Sequence, residues 1–382
     1  MAGSSTRVRS AWALAAAVVL AGATGCGILD GLGGDSGPTA DPLRVAGGQA
    51  ANEAAAGLAG APAVSYTWSS DDSEEPEDRI ELQVTQGGVV YGAFDQGGRE
   101  IRVLSAADQT YVRSDAEFWT GHGAAEDVAS RYEDRWVRVT PDYLSFDPRE
   151  ALLPETVGAQ VQGALADSAA TSAPELTSLN EVPVFQVPTS GGFVFVTEAE
   201  PHQVVRVDDP TLLPPVAGAE ADPASPAVLD VQPLDAQGVA ALREEVVGAV
   251  GSLDGAYSVL PRLTVEGDLD LNCDSESGSC EAAAEVSSSF AAGVEPTPVH
   301  ARLQVQFTAE GLDDRDCNDT RTIEPDATAT LSCSAEWELT PGVEYQIQAD
   351  AYVVARALNG EELDELQGAV GEEFDAVEQA LG

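Results

Sequence analysis

Two kinds of apolar spacing divide the chain. From residue 261 onward, apolar residues alternate with polar ones. Leu263, Val265, Leu269, Leu271 and Cys273 share one parity, with Gly267 in the gap. Cys280, Ala282, Ala284, Val286 and Phe290 repeat the pattern, as do Val299, Ala301, Leu303, Val305 and Phe307. Ala329, Leu331, Cys333, Ala335 and Trp337 follow, then Val343, Tyr345, Ile347, Ala349 and Ala351. Period two gives each strand one apolar face, which is what a two-sheet sandwich needs. We therefore expect an all-β sandwich over 261–356. The residues at 313–316, Asp-Asp-Arg-Asp, read as a solvated loop, with Cys317 in that loop.

Before residue 234 the pattern is mixed. Short runs rich in Val, Ile, Tyr and Thr fall at 64–68, 79–85, 89–94, 101–104 and 110–113. Gly87-Gly88, Gly97-Gly98 and Ala107-Asp108 separate the later ones, so these runs predict an antiparallel meander. Further strands are expected at 136–139, 182–187, 193–197, 204–208 and 228–231. The run Phe193-Val-Phe-Val-Thr197 is apolar on both faces and predicts a central strand. Helical spacing appears at 43–58, 124–132 and 154–166, and at 235–253 through Val239, Leu242, Val246, Val250 and Leu253. A last stripe, Leu363, Leu366, Val370, Phe374, Val377 and Leu381, predicts an amphipathic C-terminal helix with a Glu- and Asp-rich outer face. The fold class expected is an α+β N-terminal domain, a curved antiparallel sheet over helices, followed by the disulfide-bearing all-β sandwich and that helix.

The first 26 residues follow neither spacing. Arg7 and Arg9 precede a short apolar run at 11–20, and Ala23-Thr24-Gly25 leads to Cys26. A basic segment, a short apolar core and small residues before a cysteine resemble a bacterial lipoprotein signal, although Ala23 stands where that signal usually has leucine. The resemblance implies lipidation of Cys26. The apolar run is too short to span a bilayer, and no later stretch is long and apolar enough to do so. The division expected is signal peptide 1–25, flexible tether 26–41, sheet domain 42–233, helix and linker 234–260, sandwich 261–356 and terminal helix 357–382.

Composition supports an exported chain with folded cores. The 382 residues are 43% hydrophobic, enough for sizeable cores. The formal net charge is -47, and all 18 basic residues are arginines. Loss of Arg7 and Arg9 with the signal would take the charge to about -49. A field of that sign repels nucleic acid and anionic lipid headgroups. Five cysteines are an odd number for an exported chain. With Cys26 assigned to lipid, Cys273, Cys280, Cys317 and Cys333 are left for two disulfides. Of the three connectivities, the favoured one pairs near neighbours, Cys273 with Cys280 at the ends of one hairpin and Cys317 with Cys333.

Catalytic chemistry is not legible. His122, His202 and His300 form no metal-ligand spacing, and His300 reads as a surface residue beside Arg302 and Gln304. There is no nucleophile elbow or phosphate loop. Asp268, Asp270, Asn272, Asp274 and Glu276 alternate with apolar residues and read as the wet face of a strand, not as a calcium loop. Neither metal nor cofactor is expected, and the chain is read as non-enzymatic. The aromatic residues Tyr91, Tyr111, Phe118, Trp119, Trp136, Phe193 and Phe195 are candidates to line an apolar cavity in the first domain.

Several stretches of that domain together resemble actinobacterial lipoproteins of the LppX/LprG type, which are LolA-like. They are Val64-Ser-Tyr-Thr-Trp68, Tyr111-Val-Arg-Ser-Asp115, Glu117-Phe-Trp119, Asp134-Arg-Trp-Val-Arg-Val139, Val182-Pro-Val-Phe185 and Gly192-Phe-Val-Phe-Val196. The all-arginine, alanine-rich composition is likewise of a high-GC actinobacterial kind. The second domain resembles an immunoglobulin-like sandwich. The first resemblance implies a protein anchored through Cys26 to the outer face of the cytoplasmic membrane, binding or carrying a lipid or apolar ligand. The alternative is an envelope scaffold that binds a protein partner and has no ligand cavity. A void of several hundred Å³ beneath the first sheet would favour carriage, and a filled interior would favour the scaffold.

Overall fold

The computed structural model describes residues 42–69, 78–96, 98–144, 146–168, 173–212, 228–274, 276–291, 293–340 and 342–382. The expected signal peptide, lipidation site and tether lie outside these residues.

Helix α1 (Pro42–Ala59) places a proline in its first turn, where no intrahelical N–H is needed. Its buried face is small: Gly47, Ala50, Ala51, Ala54 and Ala55, with Leu58 at the end. The meander follows as β1 (Ala63–Ser69), β2 (Asp78–Thr85), β3 (Val90–Gln96), β4 (Arg99–Ala106) and β5 (Gln109–Arg113). Short helices α2 (Ala116–Gly121) and α3 (Glu126–Tyr132) lead to β6 (Val137–Val139). Asp115 caps α2 by accepting from the Phe118 N–H at 2.8 Å. Helices α4 (Pro148–Ala151) and α5 (Pro154–Ser168) come next. Then come β7 (Glu175–Leu179), β8 (Val182–Pro188), β9 (Phe193–Thr197), β10 (Val204–Asp208) and β11 (Val228–Pro233). Helix α6 (Ala236–Gly251) and the two-residue β12 (Tyr257–Ser258) lead into β13 (Pro261–Asp274), β14 (Ser279–Phe290) and β15 (Val299–Ala309). The chain ends with β16 (Arg315–Ile323), β17 (Thr328–Glu336), β18 (Ile347–Arg356) and α7 (Gly360–Leu381).

The strands form two sheets. The larger runs β16-β15-β18-β12-β6-β5-β4-β3-β2-β1-β11-β10-β9-β8-β7, and the smaller β13-β14-β17. The large sheet does not stop where the first apolar pattern ends. Strand β12 pairs parallel with β6 and antiparallel with β18, opposite Val137 and Arg356. Its backbone bonds Tyr257 N–H to Trp136 O and Ala357 N–H to Ala256 O, at 3.0 and 2.8 Å, carry the sheet across the seam.

The sheet of the first region is covered on both faces around β4, β5 and β6. Val90, Val103, Val112 and Val137 face a core shared with α1 and α5. Their strand neighbours Val89, Leu104, Tyr111 and Trp136 face the opposite way, into a core shared with α6 and α7. Gly158 of α5 has no room for a side chain, since a Cβ there would meet Ala59 N at 2.6 Å. On the other face, Arg243 of α6 reaches Asp375 and Glu378 of α7, each at 2.9 Å. Glu373 of α7 accepts from the Thr85 hydroxyl and, at 3.3 Å, from the Val89 N–H.

In the second region the two sheets face each other across one core. Ala282, Ala284 and Val286 of β14 and Leu331 of β17 meet Ala301, Leu303, Val305 and Phe307 of β15. Three sequence expectations are corrected here. The stretch read as an acidic loop at 313–316 runs into strand β16, which pairs with β15 from Val299↔Ile323 to Phe307↔Arg315. It carries little apolar alternation because it is an edge strand, and much of it is exposed. Strand β18 begins at Ile347 rather than near residue 343, and Val343 is an exposed loop residue. The apolar parity of β13 is interrupted, since its register with β14 shifts between Glu266 and Asp270, around Gly267 at φ +78°. Leu263 and Leu269 pack on the core, but Val265, Leu271 and Cys273 are exposed on this edge strand. Strand β7, at the far edge of the large sheet, was not expected at all; it is almost wholly exposed and has no period-two apolar face.

Candidate functional site

The cysteines of the second region form two disulfides, Cys273–Cys280 and Cys317–Cys333. The first joins directly opposed residues of the β13–β14 hairpin. The second joins β16 of the large sheet to β17 of the small one, and so ties the two layers together.

The aromatic residues proposed from sequence to line one cavity are not brought together. Tyr111 and Trp136 are buried beneath α6 and α7, with Tyr91 packed against them. Phe118 and Trp119 lie in the core on the opposite face. Phe193 and Phe195, 6.4 Å apart, lie on the face of β9 that points away from that core, and Phe193 is 38% exposed. The reason is the pleat. Tyr111 beside Val112, and Phe195 between Val194 and Val196, must point to the face their neighbours do not. Strand β9 is internal to the sheet, as expected, but only its Val194 and Val196 face is fully buried.

Beneath the sheet, helices and strands pack into one apolar core. Alanines of α1, Val157, Val161 and Leu165 of α5, and valines from the strands fill the space between helices and sheet. Two shallow recesses of the surface lie elsewhere. One, about 240 Å³, sits at the β8–β9 hairpin beside Val182, Thr197 and Pro201. The other, about 330 Å³, lies where β5, β6, β12, β13, β14, β15, β18 and the start of α7 meet. Neither is lined by a residue of the interior core. That core nevertheless holds two buried polar atoms with no hydrogen-bond partner, Tyr66 Oη and Trp119 Nε1. Burial raises the Tyr66 pKa well above its ordinary value and keeps the phenol neutral.

The seam between the regions is aromatic and cationic. Trp119 meets Phe118 edge-on at 4.9 Å and Tyr132 at 5.5 Å, and Tyr132 lies 5.6 Å from Tyr257. Burial, helped by Tyr143 and Tyr257, pushes Tyr132 up to about 12. Arg131 of α3 stacks over Tyr352 of β18 at 3.9 Å, a contact between the two regions.

Each histidine has a partner. His122 Nδ1 lies 2.8 Å from Phe118 O, and its ring stacks on Tyr143 at 5.1 Å. His202 Nδ1 lies 2.9 Å from Thr197 O. The surface reading of His300 is corrected: its side chain is 12% exposed and sits between Thr322 Oγ1 and Glu362 Oε2, both at 3.1 Å. The carboxylates at 268–274 lie on exposed β13, where Asp274 accepts from the Glu276 N–H and the Ser277 hydroxyl. Among the described residues no group of three or more His, Cys, Asp or Glu is placed to hold a metal ion.

A buried carboxylate that the sequence did not single out is Asp209, just after β10. It accepts from the hydroxyls of Thr189 and Thr211 at 2.5 and 2.6 Å and from the Thr211 N–H at 2.9 Å. Burial works against its charge, but these bonds and one from the Gly191 N–H hold its pKa below the ordinary aspartate value. A Cβ at Gly191 would fall 2.3 Å from Asp209 Oδ1, so only glycine fits this turn. The arrangement is structural. It locks the β8–β9 turn to the chain leaving β10.

Among the described residues no helix is long and apolar enough to cross a membrane. No protein-family model matches the chain, and no curated protein matches it. Among solved structures the chain is similar to LprF from Mycobacterium bovis, with 13% identity over 49% of this chain and 91% of that one, at a TM-score of 0.29.

Proposed function

We propose that this chain is a non-enzymatic, extracytoplasmic lipoprotein, tethered through Cys26, that works as an envelope scaffold by binding a protein partner. The observation that carries this reading is the division of the candidate aromatic residues among three surroundings, with α1 and α5 packed with the strands in one apolar core. A carrier of acyl chains needs an apolar void of several hundred Å³. The continuous sheet and the covalent tie between layers suit an arm that presents a surface. The strand orders β13-β14-β17 and β16-β15-β18 support reading the second region as immunoglobulin-like, a fold that by itself implies no activity.

Carriage of a lipid or apolar ligand is the second reading. Tyr66 Oη and Trp119 Nε1 favour it, since buried polar atoms without partners mark places where water or a ligand oxygen could sit. Native mass spectrometry of the full chain released from detergent separates the two. The scaffold reading expects ligand-free protein that takes up no added phospholipid or glycolipid. A co-purifying or acquired acyl lipid, held in a defined ratio, would overturn it in favour of carriage.

A further inference from the structure

The recess of about 330 Å³ at the seam has a chemistry that neither reading uses. Seven strands and the start of α7 meet there, and the polar residues that line it include Gln109, Arg138, Ser258, His300, Arg356 and Glu362. Several of its acceptors are already engaged. Glu362 Oε2 lies 2.8 Å from the Asn359 N–H and 3.1 Å from His300 Nε2. Gln109 Oε1 accepts from the Tyr111 hydroxyl, and Ser258 Oγ accepts from the Leu260 N–H at 3.2 Å.

Its donors are not spent. Arg356 gives one terminal nitrogen to Asp254 at 2.9 Å, but its Nε is buried with no partner. The Arg138 side chain has neither an ion pair nor a hydrogen bond among the described residues, although acidic residues outnumber arginines 65 to 18 in this chain. The Ser258 hydroxyl hydrogen and the Gln109 amide N–H groups are also free to donate. Buried donors without acceptors are costly, and a guanidinium is matched best by a planar or tetrahedral oxyanion.

We propose that this recess is a binding site for a small oxyanion group, a carboxylate or phosphate, held by Arg138 and Arg356 with Ser258 and Gln109. The protein's overall negative field opposes entry of anions, so the site would accept a compact group that the local arginines can reach, not an extended polyanion. Glu362 is the opposing charge within the site, offset by its hydrogen bonds to His300 and Asn359.

The test is titration calorimetry of the full chain in non-ionic detergent. The probes are inorganic phosphate, succinate, and micelles doped with phosphatidylglycerol. Binding of a free anion identifies a soluble ligand, and binding to doped micelles alone identifies a lipid headgroup; either supports the site if Arg138→Leu weakens it by about tenfold or more. Glu362→Gln, which can keep the helix cap, should tighten the same binding. In the unmutated protein, the NMR signals of Arg138 and Arg356 Nε–H should shift on addition of the bound probe while those of Arg243 stay fixed, a readout that does not depend on a variant folding. No binding of any probe, or binding that leaves both arginine signals unmoved, overturns the proposal. Neither result bears on whether the interior core carries a lipid.

Discussion

The two regions solve the same problem, holding an antiparallel sheet against water, by different means. In the second region each sheet lends one apolar face to a shared core, and two disulfides staple the strands. The first region, 42–233, has no cysteine. Around β4–β6 its sheet is buried on both faces, one by α1 and α5 and the other by α6 and α7, which come later in the chain. The first region therefore depends on the C-terminal helix, together with α6, for the cover of one face around β4–β6, and the core of the second does not include that helix. A cut at the edge of the sandwich would leave the first sheet with an open apolar face.

The largest expected effect tests that dependence. Phe374 of α7 is fully buried against the first region. Phe374→Ala should cost about 3–5 kcal/mol, through lost burial and the cavity left behind. In a denaturant melt followed by the tryptophans, this loss should appear in the transition of the first region. A loss confined to fraying of the C-terminal helix would break the comparison.

Removal of the inter-layer staple comes next. The Cys317–Cys333 bond closes a loop of sequence separation 16. The double change Cys317→Ser with Cys333→Ser should cost about 3 kcal/mol by chain entropy. Hydrogen exchange should rise in β16 and β17 while the β2–β4 amides stay protected. Equal loss of protection in both regions would mean that they unfold as one unit.

The smallest effect belongs to the first region's substitute for a staple. Asp209→Ala leaves the donors of Thr189, Thr211 and Gly191 without their acceptor and should cost about 1–3 kcal/mol. The folded protein holds this carboxyl below its ordinary pKa. Its contribution is therefore present in full above the unfolded-state value of about 3.9 and is lost as pH falls through the lower folded value. Melts of wild type and variant should differ most near neutral pH and converge in acid. A gap that widens in acid would contradict the assignment.

Legibility follows burial. The period-two segments at 280–290 and 299–307 read correctly because each has one wet face, so polarity records the pleat directly. Strand β16 was hidden by the same logic: as an exposed edge, its residues carry little apolar signal. The helix stripe ending in Leu366, Val370, Phe374 and Val377 was visible, but what it covers was not. The aromatic set failed as a cavity because neighbours in sequence point to opposite faces, and the sequence does not say what lies over each face. Arg138 and His300 gave no sign of a shared site, since they meet only through β12, a two-residue strand with no periodicity to read.

By itself the sequence determined most of the strands and helices of both regions, the even count of four later cysteines and the strongly negative charge, because each of these is set by local spacing or simple counting. The tertiary structure alone decided that one sheet runs through both regions and that the last helix closes the first region's open face. It also decided that the candidate aromatic residues are divided between opposite faces of the sheet. Those outcomes depend on which surfaces meet across hundreds of residues, and the free energy of burial is shared between the partners, so neither partner's sequence specifies it alone.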